Sequence, residues 1–436
     1  MGAPKPSLPS FFPTQLILLI PMKTIDKYTF GVGDRFAHQA EAQLRAFQQL
    51  ARQGVQVTPV WNKSNREHLI VGSEPGDTRS AADAAVANLG WDSSYLLDAD
   101  HITFETVDRY LPHCDFYTID VADDIGTPAP TEEINAFIER HPELIGTIPV
   151  ADIEEPLKIT REDVEKTANQ FLKACEKAGA IYRHIAAGTG NEDFVAEVSM
   201  DETDDPQTPP EMLVILAAIA DQDFPIQTIA PKFTGRFNKG VDYVGDLTRF
   251  EQEFNDDLAV IAHAVQAYGL PATLKLSVHS GSDKFSIYGP IKRALARTGA
   301  GLHIKTAGTT WLEELIGLAE ADGEALALAK QIYATALQKK EALCAPYATV
   351  IDVDHSQLPS AEEVHAWTSD QYTGALRHDQ DNPSYNQHFR QLLHVGFKVA
   401  AQLGDTYLDA LKSNSEVIGK NVTRNIYERH MVPLFG

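Results

Sequence analysis

From residue 28 onward, short apolar runs rich in Val, Ile, Tyr and Phe alternate with longer stretches in which apolar residues recur every three to four positions. This alternation is typical of repeated strand and helix units arranged around a parallel sheet. In the first unit, residues 28–32 have the composition of a strand. Gly33 and Asp34 then provide a turn and a helix cap, and residues 35–52 have the periodicity of an amphipathic helix.

Nine further segments have the length and composition of strands, and the pattern predicts two C-terminal helices, at residues 325–340 and 388–403. The strands are predicted at residues 57–61, 94–98, 116–119, 181–185, 194–199, 226–230, 273–278, 302–305 and 349–353. Because this is more than eight, we predict an α/β fold, a TIM-like (β/α)8 parallel barrel with accessory strands, and a doubly wound open sheet is the alternative. We expect residues 28–436 to form a single catalytic barrel domain. Residues 1–27 would be an N-terminal extension, disordered or accessory to the barrel.

Charge and cysteine content narrow the classes of partner. Thirty-seven basic and 61 acidic side chains give a formal net charge of −24, which disfavours nucleic acid but leaves a small anion possible where a few cations line a cleft. The apolar run at residues 11–20 is interrupted by Pro13 and is too short to span a membrane. Cys114, Cys175 and Cys344 lie far apart without a CxxC pair, which indicates a reducing, cytoplasmic location. A homo-oligomer stays open.

In a parallel barrel, the C-terminal ends of the strands meet at one rim, and ligands and catalytic groups gather there. Polar residues follow most of the predicted strands. They are Asp34 and Arg35, Asn62 and Lys63, Asp98 to His101, Asp120, His184, Glu197, Lys232, Lys275 with His279, and His303 with Lys305. The sequence therefore predicts the active site at this rim.

Three of these residues, His101, His279 and His303, are candidate ligands of a divalent metal such as Zn, Ni, Co, Mn or Fe. Neutral imidazole is the commonest protein ligand for such metals, and carboxylates are plentiful beside these histidines. The chain has no HExxH motif, so the site would have to be assembled from separate strands.

Asp100 and Glu197 are candidates for proton transfer, because two carboxylates on different strands can face a substrate from opposite sides. Asp98, Asp120 and Asp34 compete for these roles. The candidates for holding the substrate are cations that could bind a carboxylate, together with one acid. They are Lys63, Arg66, Asp120, Lys232, Lys275 and Lys305.

Motifs for organic cofactors are incomplete. Gly31 and Gly33 follow a strand, but Phe36 stands where GxGxxG needs its third glycine, and residues 188–190 form a GxG without a Walker lysine. No GxSxG sequence is present. We therefore predict no bound nicotinamide or nucleotide and no serine-based acyl transfer.

Seven longer segments are specific enough to compare with known families: GVGDRF at residues 31–36, PVWNKSNREH at 59–68, DADH at 98–101, FYTIDVAD at 116–123, KLSVHSGSDKF at 275–285, HIKTAGT at 303–309 and NPSYN at 382–386. Through them the chain resembles the tagaturonate epimerase family from about residue 28 to its C-terminus, with the first 27 residues outside the resemblance.

The resemblance implies an isomerase that interconverts D-tagaturonate and D-fructuronate and needs a divalent metal. Relatives also act on the neutral ketoses tagatose and fructose. The family uses a proton acceptor and a proton donor beside its metal ligands. These roles carry over to Asp100 and Glu197 for proton transfer and to His101, His279 and His303 for the metal.

The two ketose acids differ at a carbinol carbon two bonds from the ketone, whose hydrogen the carbonyl does not acidify. Simple enolisation therefore cannot invert it. Retro-aldol cleavage followed by re-addition can, whereas transient oxidation needs the nicotinamide that the motifs do not support. A metal-dependent sugar isomerase or aldolase is the alternative function, and a non-catalytic sugar-acid binding protein is the least favoured class.

Overall fold

A computed structural model describes residues 23–201, 203, 205–280, 282–306 and 309–436. The strands are β1 (Tyr28–Gly33), β2 (Thr58–Ser64), β3 (Leu96–Ile102), β4 (Phe116–Asp120), β5 (Gly146–Ile148), β6 (Leu157–Ile159), β7 (Val195–Ser199), β8 (Ile226–Ala230), β9 (Lys275–His279) and β10 (Leu302–Lys305). Eight of them close a parallel barrel in the order β1-β2-β3-β4-β7-β8-β9-β10, and β10 pairs with β1. The predicted (β/α)8 barrel is confirmed.

Helices surround the barrel and extend beyond it at the C-terminus. The helices are α1 (Ala40–Ala51), α2 (Asn65–Val71), α3 (Pro75–Leu89), α4 (Thr131–Arg140), α5 (Arg161–Thr189), α6 (Pro209–Ala220), α7 (Leu247–Tyr268), α8 (Tyr288–Thr298), α9 (Thr309–Glu320), α10 (Gly323–Gln338), α11 (Lys340–Cys344), α12 (Ala361–Ala366), α13 (Ser369–Leu376), α14 (Gln387–Val395), α15 (Phe397–Gln402), α16 (Asp405–Ser413), α17 (Ser415–Arg424) and α18 (Val432–Phe435). Among these described helices, none is long and apolar enough to cross a lipid bilayer.

The predicted C-terminal helices are present as α10 and as the pair α14 and α15, which Gly396 separates. Helix α9 packs against α17, α10 and α13, and α15 packs against α2. The C-terminal helices therefore cover one side of the barrel and also reach the helix that follows β2.

Two predicted strands are wrong. Residues 181–185 belong to α5, a 29-residue helix that starts at a capping box between Thr160 and Asp163 and ends at Gly190 in a left-handed conformation. A short apolar run has no periodicity of its own, and its helical neighbours decide its conformation. Residues 349–353 form turns and irregular backbone. The accessory strands are instead β5 and β6, an antiparallel pair outside the barrel.

The N-terminal end of the barrel is closed by residues 23–27, which sequence analysis assigned to the extension; the rest of that extension, residues 1–22, lies outside the described residues. Ile25 is buried with inward-facing residues such as Val60 and Phe116, and its N–H donates to Gln227 Oε1 at 2.8 Å. These contacts place Ile25 in the barrel core and hold residues 23–27 across the N-terminal end of the barrel.

Lys275, predicted to bind substrate at the rim, lies at the opposite end of the barrel. It is the first residue of β9, and its ammonium donates to the carbonyl oxygens of Asp26 and Lys27. A strand's first and last residues face opposite ends of the barrel, so Lys275 cannot contact a ligand in the C-terminal mouth. Burial lowers the pKa of Lys275 to about 7, against its ordinary 10.5.

We expect Lys275→Met to change the pH dependence of stability. Between pH 7 and 10.5 the unfolded chain binds a proton that the folded protein does not, so this lysine makes wild-type stability rise with pH by up to about 1.4 kcal/mol per unit. The free energy of unfolding is measured with urea at pH 7.5 and 9.5. The value for wild type minus the value for the variant should increase with pH. Lys292→Met, on the exposed face of α8, is the control, and a pH-independent difference for Lys275→Met would contradict the prediction.

Candidate active site in the mouth of the barrel

A single buried lysine joins three carboxylates at the C-terminal end of the barrel. Lys305 ends β10 and is 3% exposed. Its Nζ lies 2.7 Å from Asp98 Oδ2, 3.0 Å from Asp100 Oδ1 and 3.1 Å from Glu197 Oε1, and it also donates to Thr118 Oγ1. One ammonium therefore compensates three carboxylates that the fold holds out of water.

The environment separates the pKa values of these acids. Burial raises the pKa of Asp100 and Glu197, but the Lys305 ammonium and the neighbouring imidazoles outweigh it and hold both below their usual range. At Asp98, burial together with repulsion from the other two carboxylates outweighs Lys305 and raises the pKa to about 6. Asp100 and Glu197 therefore stay ionised at neutral pH, as a carboxylate that accepts a substrate proton must be.

Thr118, on the inner face of β4, links two of the acids. Its Oγ1 lies 2.9 Å from Asp98 Oδ1 and 3.1 Å from Glu197 Oε1. The sequence pattern did not single out Thr118, because a threonine inside a strand is an ordinary β-former with no chemical signature. Its position two residues before Asp120 on the same strand face was the available signal.

A second group of side chains lies next to these acids. His101 Nδ1 lies 3.0 Å from Asp100 Oδ1, and its Nε2 lies 3.5 Å from Asp201 Oδ1. His279 Nε2 lies 2.8 Å from Glu197 Oε1, and its Nδ1 lies 3.3 Å from Asp201 Oδ2. Ligand atoms of the two histidines and Asp201 lie within 4.8 Å of one another.

This donor set fits a divalent metal. Each imidazole bonds a carboxylate through one nitrogen and turns the other towards Asp201, which is the arrangement that carboxylates impose on metal-ligating histidines. The Nδ1 atom of His279 has no hydrogen-bond partner among the described residues, so a metal beside Asp201 would displace no hydrogen bond at this atom.

A β-bulge brings Asp100 and His101 to the same side of β3. Consecutive residues of a regular strand point to opposite faces, yet both side chains face the mouth. The pairing of β3 with β4 shifts register between Ala99 and Ile102, and His101 takes a left-handed φ of +54°. Bulges re-aim side chains in this way next to active sites.

His303 lies outside the His101–Asp201–His279 group in the part of the chain that is described. It is two residues before Lys305 on β10, so it faces the interior one layer below. Its Nδ1 lies 2.7 Å from Thr29 Oγ1, its ring centroid lies 5.0 Å from that of Phe116, and burial lowers its pKa to about 3. Asp201, and not His303, is the third member of the group with His101 and His279. It follows β7 in a turn-rich loop that no sequence pattern assigned to the site.

Two further predicted rim residues lie elsewhere. Lys63 is on the outer face of β2, where its ammonium donates to the Arg35 carbonyl at 2.7 Å and to Ser73 Oγ at 2.8 Å; its predicted contact with substrate is wrong. Asn62, its neighbour, faces the mouth instead. It is 1% exposed, and neither of its amide atoms has a hydrogen-bond partner among the described residues. The second of the two predicted rim residues, His184, lies on α5, where its ring bonds Asp108 Oδ1 at 2.6 Å.

The other predicted substrate-binding residues lie at the C-terminal end of the barrel. Asp120 ends β4, and its carboxylate accepts the Ala122 N–H at 3.0 Å. Lys232 follows β8, is half-buried and donates to the Thr203 carbonyl oxygen. Arg66, in the first turn of α2, is exposed with its guanidinium 5.1 Å from the ring centroid of Tyr347.

Buried, ionised carboxylates at the C-terminal mouth of a parallel barrel are suited to acid–base catalysis, and they place the protein among the (β/α)8 barrel enzymes. Comparison with known proteins gives its family. The chain belongs to the tagaturonate epimerase family, UxaE, whose model matches residues 12–432. It is therefore an isomerase, as the sequence resemblance predicted, and the family likeness begins at residue 12 rather than at residue 28.

Individual relatives agree with this assignment. A Thermotoga maritima protein named tagaturonate/fructuronate epimerase is 28% identical over 434 residues, covering 96% of this chain and 83% of that protein. Crystal structures of the fructuronate-tagaturonate epimerase UxaE from Cohnella laeviribosi share the fold. The form with one glycerol has a TM-score of 0.78 at 23% identity, covering 95% of this chain and 82% of that one. The form with two glycerols gives 0.77 at 22% identity, covering 95% and 83%.

Proposed function

We propose that this enzyme interconverts D-tagaturonate and D-fructuronate by retro-aldol cleavage and re-addition. The observation that carries the proposal is the pair Asp100 and Glu197, which lie on β3 and β7 and both contact the Lys305 ammonium. The family of the chain and the name of its T. maritima relative support the choice of substrate.

Inversion of a carbinol carbon moves its oxygen to the other side of the carbon, and this explains why two carboxylates are needed. One carboxylate accepts the hydroxyl proton as the carbon–carbon bond opens, and the aldehyde then turns. The accepted proton then passes to the other carboxylate across the Lys305 ammonium, which contacts both, and that carboxylate returns it to the oxygen when the bond forms again. The low pKa values of Asp100 and Glu197 keep both ionised at neutral pH before the reaction starts, so either can be the first to accept the proton.

Lys305 and Thr118 position the pair. The ammonium bonds both carboxylates and offsets their mutual repulsion, and the Thr118 hydroxyl on the neighbouring strand β4 bonds Glu197 Oε1. Asn62 contributes an unpaired amide to the same mouth, where it can bond a substrate hydroxyl. These groups are held by strands rather than loops, so the geometry is set before substrate binds.

We propose that His101, His279 and Asp201 hold a divalent metal. When bound there, such an ion acts as a Lewis acid on the substrate's oxygens and stabilises the negative charge that develops as the carbon–carbon bond opens. The Asp100 and Glu197 carboxylates, each bonded to one of the imidazoles, orient the two ligand rings.

The function is tested by incubating the purified protein with D-tagaturonate and each candidate metal and separating the products by chromatography. D-fructuronate should appear, EDTA should stop its formation, and added metal should restore it. In D2O the inverted carbon should carry no solvent deuterium, because the retro-aldol route never breaks its C–H bond. Deuterium at that carbon would rule the route out, and net release of three-carbon fragments would indicate an aldolase. D-tagatose as substrate tests the neutral 4-epimerase activity.

Single histidine variants test the metal ligands. We expect His101→Ala and His279→Ala to bind metal at least about tenfold more weakly, because each loses a ligand nitrogen. His303→Ala, from the layer below, is the matched control and should retain the wild-type metal content after dialysis, measured by inductively coupled plasma mass spectrometry. Loss of metal in His303→Ala with retention in His101→Ala would favour the three-histidine set that the sequence predicted.

A further inference from the structure

Three cations surround the ring of one buried tyrosine. The Arg66 guanidinium lies 5.1 Å, the Lys239 ammonium 5.7 Å and the Lys398 ammonium 4.7 Å from the ring centroid of Tyr347, which is 5% exposed. The three come from distant parts of the chain, so tertiary folding gathers them. In a protein with a net charge of −24, such a gathering of positive charge is unexpected.

This basic cluster, Arg66, Lys239 and Lys398 around Tyr347, lies over the C-terminal end of the barrel. Arg66 is in the helix that begins directly after β2, and α15, which carries Lys398, packs on that helix. Lys239 is in the loop after β8, and the N–H of the next residue, Gly240, donates to Ser282 Oγ in the loop after β9 at 2.8 Å. The cluster therefore shares the end of the barrel that holds the Lys305 acids.

Two cations of the cluster are not neutralised by carboxylates of the protein. Within the described ranges, neither Arg66 nor Lys398 has a carboxylate within 4.0 Å, whereas Arg35 nearby is paired with Glu67 at 3.0 Å. Burial and the repulsion of Arg66 lower the pKa of Lys398. An anion bound here would relieve that repulsion.

A buried imidazole next to the cluster also lacks partners. His394 is 1% exposed, and neither of its ring nitrogens has a hydrogen-bond partner among the described residues. It packs against Gly240, where an added Cβ would lie 3.3 Å from the His394 Cβ, and its carbonyl accepts from Arg35 Nη1 at 3.4 Å. A buried polar group without a partner in the fold indicates a ligand that provides one.

We propose that Arg66, Lys239 and Lys398, with His394 beside them, form a subsite that binds the carboxylate of the ketose acid. The inference rests on the proposed function. Retro-aldol cleavage divides the substrate into a three-carbon ketone, as its enolate, and a three-carbon aldehyde that carries the carboxylate. The bond between the two halves breaks, the hydroxyl proton goes to a protein carboxylate, and the electron pair stays on the enolate carbon.

The aldehyde half has to rotate without dissociating from the enzyme. The function of the subsite is to hold this half by its carboxylate during the rotation. Cations that hold the carboxylate let the aldehyde carbon rotate while the fragment stays bound, so re-addition outcompetes escape. If the fragment escapes, the enolate takes a proton at the same carbon and the ketone is released. A weakened subsite therefore converts part of the epimerisation into net cleavage.

The test compares Arg66→Gln, Lys398→Gln and the double variant with wild-type enzyme loaded with metal. We expect KM for D-tagaturonate to rise roughly tenfold or more in each single variant, because a charge-assisted contact is lost. We expect kcat to fall less, and the double variant to release the three-carbon aldehyde acid, detected by trapping it with a hydrazine. Lys398→Arg should restore most of the affinity, and Arg45→Gln, which removes an exposed arginine of α1, is the charge control.

The outcomes separate this inference from the proposed function. If wild-type enzyme does not turn over D-tagaturonate, the proposed function fails. If wild-type enzyme is active and KM stays within about twofold in all three variants, the subsite is overturned. Inorganic phosphate provides the second arm, measured by thermal unfolding. Protection of the wild type but not of the double variant, with an unchanged KM for the ketose acid, would assign the cluster to free phosphate and also overturn the proposal.

Discussion

Lys305→Met is expected to destabilise the protein by about 3–5 kcal/mol at pH 7, because removal of one partner leaves buried charge uncompensated. Lys305 is 3% exposed, and its ammonium lies within 3.1 Å of carboxylate oxygens of Asp98, Asp100 and Glu197. Methionine has a similar length but offers no charge. Turnover should also be lost, since the two catalytic candidates no longer have a common anchor.

The measurement is urea unfolding followed by circular dichroism, with Lys412→Met as the control. Lys412 is 61% exposed and pairs with Asp409 at the surface, so its loss should change stability by less than about 1 kcal/mol. A free energy of unfolding for Lys305→Met equal to that of wild type would show that the three carboxylates do not depend on this lysine.

Glu197→Gln is expected to lower kcat by about a thousandfold while the protein stays folded. General acid–base catalysis typically contributes about 10²–10⁴ in rate, and glutamine keeps the shape of the side chain but cannot accept a proton. The free energy of unfolding should fall, because the lowered pKa of Glu197 means that its ionised carboxylate stabilises the fold, so circular dichroism is used to check that the variant is folded before kcat is compared.

Asp98→Asn is the matched control for Glu197→Gln, because it makes the same isosteric change in the same cluster. The pKa of Asp98 is raised to about 6 by burial and by its acidic neighbours, so an uncharged group already occupies this position part of the time near neutral pH. Its kcat should fall by no more than about tenfold, measured by the same product assay. Equal losses in the two variants would mean that the charge of the cluster, and not proton transfer by Glu197, limits the rate.

The alternation of side chains along β2 decides which of its polar residues can reach the site, and it corrects the prediction for Lys63. Val60 faces the barrel core, so Asn62 must face the interior and Lys63 must face the helices. A lysine near a strand end suggests anion binding by residue type alone, but the face on which it lies decides what it can touch. The prediction that Lys275 binds substrate failed for a related reason. Lys275 is the first residue of β9, and this position decides which end of the barrel it reaches.

The group proposed to hold a metal was harder to predict. His101 reaches the mouth only because a bulge interrupts the alternation of β3, and a bulge has no reliable sequence signature when no glycine marks it. Asp201 comes from a loop whose course depends on the strands around it. Its carboxylate lies next to His101 and His279, which come from two other strands. No local sequence pattern predicts a contact between such distant residues.

The sequence by itself determined the eight barrel strands, the class of fold and the family, because strand and helix periodicity is local and the family segments are long. The tertiary structure decided which polar residues form the site. Asp100 and Lys305 are 205 residues apart, and Glu197 and His279 are 82 apart, yet each pair is in hydrogen-bond contact. These contacts exist because β10 closes the barrel against β1 and fixes the register of every strand end. Closure is a property of the whole chain, which no single segment encodes.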